Sequence, residues 1–202
     1  VTIILSHLFH LIIENYGLKK SLAFVLQSAS AFERSGIKEL ADQSVAMLNS
    51  ESMPKKVFKT QAAFNFLCQT EPVGEDGFSA MEQQILSEIK RVFDNSSLPI
   101  SLSIVQAPVF HTYSIMIYLE LEKKSSIQSL TKLFNDSSYF KFSPPALTCP
   151  ASSVSVAGKD EIFIGSIKKE KSFPNGFWIW AVADNLTRGS ALNAYEIAEK
   201  IF

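Results

Sequence analysis

The stretch ISLSIVQAPVFHTYSIMIYLEL, residues 100–121, limits the fold more than any other part of this chain. It holds two alternating runs rich in β-branched residues, the pattern of strands with one buried face. Pro108 stands between them, and proline has no N–H to give to a ladder. The spacing therefore predicts two strands separated by a break or bulge, not one long central strand. Helical patterns flank the pair on both sides. The architecture predicted is α+β: a mixed or antiparallel sheet with helices packed on one face.

Residues 3–16 place Ile4, Leu8, Leu11, Ile12 and Tyr16 at helical spacing, and Gly17 fits the left-handed position just past the helix end. LAFVLQSA (22–29) reads as a strand. Ser35-Gly36 reads as a break before a second helix whose inner face is Ile37, Leu40, Ala41, Val45 and Leu48. Residues 55–69, ending in QAAFNFLCQ, read as strand or extended loop. EPVGEDG (71–77) is a turn cluster, and Ser79 with Glu82 matches a capping box. That box opens a helix reaching about Phe93, with Ile85, Ile89 and Val92 on one face. SIQSLTKLFND reads as a short helix and FSPPALTCPASSVSVAGKDE as irregular chain. EIFIGSIKKE and FWIWAVADN read as strands around FPNG, and a helix from Gly189 or Ser190 closes the chain. No internal repeat or low-complexity linker divides residues 1–202, which read as one domain.

Charge and composition remove several functions. Lys and Arg number 19 against 20 Asp and Glu, so the net charge of -1 gives no general pull toward nucleic acid or an acidic membrane. No apolar run reaches the ~20 residues that span a bilayer. The opening VTIILSHLFHLII lacks the basic start and cleavage site of a signal peptide. It begins at Val1, and the chain is expected to start partway through a longer protein. Cys68 and Cys149 fit no metal spacing and read as free thiols of a cytoplasmic protein. Cys68 lies in an apolar stretch and reads as inert packing; Cys149 has no nearby His or basic cluster. His7 and His10 stand at i, i+3, but no third ligand is obvious, so no metal is predicted. AGKDEIFIG lacks the GxxxxGK of a phosphate loop and reads as a turn into a strand. DNLTRGSALN (184–193) reads equally as a loop capped by Asp184 and Asn185, or as a helix start facing a ligand's negative group.

Longer segments carry a resemblance. VADNLTRGSALNAYEIAEKIF resembles the C-terminal DNLxxGxALNxxxIAE run of the aspartate-semialdehyde dehydrogenase family. AGKDEIFIGSIKKE is similar to its G-x-D-x-hydrophobic-hydrophobic-G-x-I strand, and QAAFNFLCQ to its A-F-N segment. GFSAMEQQILSEIKRVF resembles its G-x-(T/S)-x-E-E-x-K helix, and LQSASAFERSGIKEL its Y-Q-x-x-S segment. The resemblance keeps the family's order from about residue 2 to Phe202. It implies a glyceraldehyde-3-phosphate-dehydrogenase-like C-terminal domain that carries substrate pocket and homodimer interface. A separate N-terminal Rossmann-like domain would bind NADP, which is not expected on this chain alone. The family's nucleophilic cysteine would lie just upstream of Val1.

The resemblance also assigns positions. The family glutamine that orients the thiohemiacetal falls on Gln27, which is retained. The acidic residue opening E-E-x-K falls on Met81, with Glu82 kept beside it, and the phosphate-binding lysine falls on Gln84. The carboxylate-binding arginine falls on Gln106 and the acid/base histidine on Tyr113. His111 lies two places earlier, on the same face if the strand continues, and is either a displaced acid/base group or a bystander at the pocket rim. Asn185 is the candidate contact to the cofactor. A bidentate arginine, a point-charge lysine and a histidine near neutrality are thus replaced by two carboxamides and a phenol. The Q-x-P-V-F wording and SGIKELADQSVAMLN are similar to the Usg-type branch of the family. The leading expectation is a dimerisation domain whose aspartate-semialdehyde chemistry is lost or altered. The alternatives are the substrate half of an active NADP-dependent dehydrogenase of amino-acid biosynthesis, or a related enzyme acting on a less charged substrate.

Overall fold

The computed structural model describes residues 1–143 and 151–201. Its strands are β1 (Leu18–Gln27), β2 (Ile100–Gln106), β3 (Tyr113–Leu121), β4 (Phe140–Phe142), β5 (Ile162–Lys169) and β6 (Gly176–Ala183). They form one sheet in the order β2-β1-β3-β6-β5-β4. β1 with β2 and β4 with β5 run parallel, and the other neighbours are antiparallel. The helices are α1 (Thr2–Tyr16), α2 (Glu33–Leu48), α3 (Ala80–Val92), α4 (Ile127–Asn135), a short α5 (Ser153–Val156) and α6 (Leu192–Ile201). The α+β architecture expected from the sequence is the one found, with the strand pair split around Pro108.

Strand alternation sends Ala23, Val25, Ile115, Ile117, Ile179 and Ala181 to one face, where α1, α3 and α4 cover them. α1 contributes Ile4, Leu5, Leu8, Phe9 and Ile12, none more than 1% exposed. At ~1.5–3 kcal/mol for each large apolar side chain fully buried, this stripe contributes on the order of 10 kcal/mol. The opposite face carries Leu22, Phe24, Met116, Tyr118, Trp178 and Trp180, and Phe24 is 49% exposed. Among the described residues, α5 and Ala151 cover only its margin, over Phe163 and Val182.

Several local expectations are corrected. Gly17 has the positive φ expected, but its ψ of 157° lies outside the left-handed helical basin. β1 begins at Leu18, four residues early, because Lys19 and Lys20 both pair with Glu120 on β3, at 2.6 and 2.9 Å. Ser35-Gly36 is not a break, since α2 starts at Glu33 and runs through both. A Cβ on Gly36 would sit 2.6 Å from Phe32 Cβ and press on the Ala29 carbonyl. The glycine there serves close packing of α2 on the 3-10 turn Ala29–Phe32. Val92 at the end of α3 is 63% exposed, and the last helix starts at Leu192 after a π-turn over Thr187–Ala191. The stretch read as irregular contains β4's end and α5, and Cys149 lies outside the described residues.

The inner face of α2 differs most. Val45 and Leu48 are exposed, while Glu39 and Gln43 are 5% and 0% exposed. The reason is the loop spanning residues 54–63, whose backbone polar groups need partners once buried. Glu39 accepts the N–H groups of Lys56, Val57 and Phe58 at 2.7, 2.8 and 2.9 Å. Gln43 donates to the carbonyls of Pro54 and Thr60 and accepts from the N–H of Ala62 and Ala63. Two polar side chains thereby hang a whole loop on the helix, and Phe58, Ala62, Ala63 and Leu67 pack against Leu40.

Candidate functional site

The C-terminal ends of β1 and β2 lie beside the N-terminal end of β3, and this end of the sheet gathers most of the predicted positions. Gln27 and Gln106 are register partners, each 1% exposed. Gln27 Nε2 donates to Gln106 Oε1 at 3.4 Å, and Gln106 Nε2 donates to the Ala107 carbonyl at 3.0 Å. Gln27 Oε1 is buried and has no hydrogen-bond partner among the described residues. The backbone is firmly held: Ala107 N–H donates to Gln27 O, while Gln106 and Leu67 exchange a pair of bonds at 2.9 and 3.0 Å. The stretch QAAFNFLCQ is thus a loop, bridged to β2 through Leu67 and Gln106.

Tyr113 opens β3, one step beyond the Leu26–Ser114 pair that ends the β1–β3 register. Burial pushes its phenol up to about 12, so it stays protonated throughout the physiological range. His111 lies outside the strand, half-buried in the β2–β3 connection. Thr112 between them has φ 70°, a left-handed turn that a β-branched residue rarely makes. The expectation that His111 and Tyr113 share a strand face therefore fails. That connection is tied to the loop after β1, since Ala29 and Ser30 N–H donate to the carbonyls of Val109 and Phe110.

Glu82 caps α3 as the sequence predicts: its carboxylate accepts Ser79 N–H at 2.8 Å, and Ser79 Oγ accepts Glu82 N–H. Its other oxygen accepts Ile104 N–H at 2.8 Å, which pins α3 to the outer edge of β2. Gln84 points elsewhere, is exposed, and donates to Glu88 at 2.7 Å. Glu88 also accepts from Thr2 at the start of α1; these two bonds, Thr2's first, hold its carboxyl below the usual range. Asn185 Oδ1 accepts from Ser30 and Ser28, at 2.9 and 3.4 Å. Asp184 accepts from Gly158 N–H and Leu186 N–H, so the DNL turn is capped by its own carboxylate.

A pocket of about 100 Å³ lies between the β2 edge and the loop leading to α3, lined among others by Gln27, Cys68, Thr70, Glu71, Glu82 and Ser103. Among the described residues no lysine or arginine lines it. Sequence reasoning missed Cys68 and Glu71. Cys68 is exposed at the pocket rather than packed in apolar surroundings, because the chain leaves the Leu67 bridge outward. The acidic turn cluster beginning at Glu71 was a signal for the second. Elsewhere, His7 stacks on Tyr139 at 4.2 Å, and burial first, then Arg188, lowers its pKa. No group of three His, Cys, Asp or Glu side chains among the described residues is arranged to hold a metal ion. Among the described residues, no helix is long and apolar enough to cross a membrane.

Comparison with known proteins fits this arrangement. The family described as semialdehyde dehydrogenase, dimerisation domain, matches residues 9–188. The aspartate-semialdehyde dehydrogenase of Aquifex aeolicus is 30% identical over 190 residues, covering 93% of this chain and 56% of that protein. The USG-1 protein homolog of Pseudomonas aeruginosa is 29% identical over 172 residues, covering 85% of this chain and 51% of that protein. Among solved structures, a probable aspartate-semialdehyde dehydrogenase from Pseudomonas aeruginosa superposes with a TM-score of 0.92 at 26% identity, over 99% of this chain and 60% of that one. The chain spans just over half the length of the curated relatives it matches.

Proposed function

This chain belongs to the semialdehyde dehydrogenase family as a dimerisation domain, and we propose that it serves a Usg-type protein in which the family's aspartate-semialdehyde chemistry is gone. The observation that carries this reading is the absence of a cation or a titratable base at the assigned anchor positions. Gln106 is a carboxamide bonded to another carboxamide and to a backbone carbonyl. Gln84 is bonded to Glu88, so a carboxylate stands beside the position where the resemblance places a phosphate anchor. Tyr113 keeps its proton to about pH 12. Losing an arginine fork removes charge-assisted hydrogen bonds to a carboxylate, and losing a lysine removes a point charge for phosphate. A phenol of that pKa exchanges protons poorly near neutrality.

The domain's remaining task is assembly. The open sheet face with Leu22, Phe24, Met116 and Trp178 is the surface on which a second copy would pack to form a homodimer. A preceding nucleotide-binding domain is the other expected partner. NADP, when bound there, supplies hydride acceptance; on this chain Asn185 is the group that would meet it, its carboxamide held in place by Ser30. Gln27, Glu82 and His111 would be the polar groups left to any residual chemistry, with Glu82 already committed to holding the β2 edge.

The test is formation of NADPH from aspartate semialdehyde and phosphate by the intact natural protein, shown by sedimentation to be a folded dimer. The reading predicts no turnover above background. A rate of about 1–1000 per second, the ordinary enzyme range, would restore the active-dehydrogenase alternative.

A further inference from the structure

The closing helix α6 is held by charge rather than by burial. None of its residues Leu192–Ile201 is buried, and its main packing partner is the π-turn Thr187–Ala191 that leads into it. In that turn the Arg188 side chain does the fastening, although the residue is only 5% exposed. Its Nε donates to the Asp160 carbonyl at 2.6 Å, and its Nη1 donates to both carboxylate oxygens of Glu196 on α6, each at 2.9 Å. A buried cation needs such a partner, because an unpaired buried charge is strongly destabilising. Gly189 N–H donates to the Asp184 carbonyl at 3.1 Å, which joins this π-turn to the turn carrying Asn185.

The guanidinium shares an aromatic ring with a titratable group. Arg188 Cζ lies 5.3 Å from the centroid of Tyr139, and the half-buried His7 of α1 stacks on the same ring at 4.2 Å with the planes 28° apart. While His7 is neutral, one cation stands beside the ring and Glu196 balances it. A proton on His7 sets two cations against one ring and one carboxylate. Burial opposes that proton most and Arg188 next; Glu196 favours it, and His10, one turn along α1, opposes it least. The cleft that His7 lines with Ser6, Val92, Phe93 and Asn193 offers no further charge. The docked arrangement thus holds the His7 pKa below its ordinary value and binds the proton less well than an opened one. Opening is therefore favoured as pH falls through the ordinary histidine range. The easiest way to part the two cations is to move the Arg188 turn and α6 into water, since α6 gives up no buried apolar side chain in leaving.

We propose that His7, Tyr139, Arg188 and Glu196 form a latch that holds α6 against the domain at neutral pH and opens when His7 takes a proton. The element released adjoins the turn that carries Asn185. The test is backbone amide exchange in the intact natural protein at about pH 7.5 and about pH 5.5, each rate divided by its intrinsic rate and β6 serving as internal reference. Protection of α6 falls several-fold at the lower pH, and an ordinary pKa of ~6.5 for an undocked histidine sets a ceiling of about tenfold. His7→Phe keeps a ring on Tyr139 and cannot take a proton, so its α6 is equally protected at both pH values. Titration of the His7 ring signals is the second readout: the midpoint lies below the ordinary histidine value and rises in Arg188→Met. An equal fall of α6 protection in the wild-type protein and in His7→Phe overturns the proposal, because another group then opens the helix. Unchanged α6 protection in the wild-type protein overturns it too, as does a His7 midpoint that Arg188→Met leaves unmoved.

Discussion

Replacing Glu39 by alanine is the perturbation that tests most sharply how this domain builds its site. The Glu39 carboxylate is 5% exposed in residue terms and accepts three backbone N–H groups within 2.7–2.9 Å. Hydrogen bonds to a charged acceptor contribute about 1.5–3 kcal/mol each, and removing one partner of a buried set leaves donors unmet. Partial resolvation of Lys56 and Val57 offsets some of that loss, so Glu39→Ala is expected to cost about 3–5 kcal/mol. Glu39→Gln keeps one carbonyl oxygen for the Lys56 and Val57 pair but points an NH₂ group at Phe58 N–H. About 2 kcal/mol is expected there. For a chain of this length the alanine variant should melt roughly 10 °C lower. Urea unfolding gives the free energy, and amide exchange should show residues 56–67 losing protection ahead of the sheet. A cost below about 1 kcal/mol, with unchanged exchange at Phe58, would refute the claim that α2 holds this loop.

Four further outcomes follow from the same geometry. Burial raises the Tyr113 phenol to about 12 in the folded chain, above the ordinary ~10 of an exposed tyrosine, so the unfolded chain ionises first. Its contribution is intact below pH 10 and is lost as pH rises toward 12, a fall of at most about 2–3 kcal/mol that Tyr113→Phe should abolish in pH-dependent unfolding. Gly36→Ala gains up to ~1 kcal/mol of helix propensity but forces Cβ against Phe32 and the Ala29 carbonyl; a net loss of about 1–3 kcal/mol in urea is expected, and a gain would contradict the close-packing account. Phe24→Glu should convert a dimer to monomer in sedimentation at micromolar concentration with little change in monomer fold. His111→Ala should alter stability by no more than ~0.5 kcal/mol in urea unfolding, and a larger loss would make His111 a support of the β2–β3 connection.

What was legible in the sequence was what period and local chemistry decide. The capping box of Ser79 and Glu82, the split at Pro108 and the hairpin at FPNG each rest on residues within a few positions of one another. The inner face of α2 was misread because apolar period cannot reveal that a distant loop needs acceptors, which is why Glu39 and Gln43 replaced Val45 and Leu48 inside. Gly36 was misread for a similar reason, since its constraint is a neighbouring turn in space. At the site, the resemblance assigned Gln27, Gln106 and Tyr113 their roles one by one; that they share one end of the sheet follows from the pairing of β1 with β2 and β3, which the resemblance did not state. It did not foresee that Gln84 turns away to Glu88, or that Thr112 breaks the strand face between His111 and Tyr113. The orientation of the Gln106 carboxamide follows from the Ala107 carbonyl it donates to, which no residue pattern encodes.

A pocket that has lost its anion anchors on a retained scaffold, as proposed, should hold neither a carboxylate substrate nor phosphate. Calorimetric titration of the folded, dimeric natural protein with aspartate semialdehyde and, separately, with inorganic phosphate tests it most directly. No saturable binding of either is expected at about 1 mM, the concentration at which a site contributing ~4 kcal/mol would be half filled. Saturable binding of both below that concentration, abolished by Gln106→Ala, would contradict it.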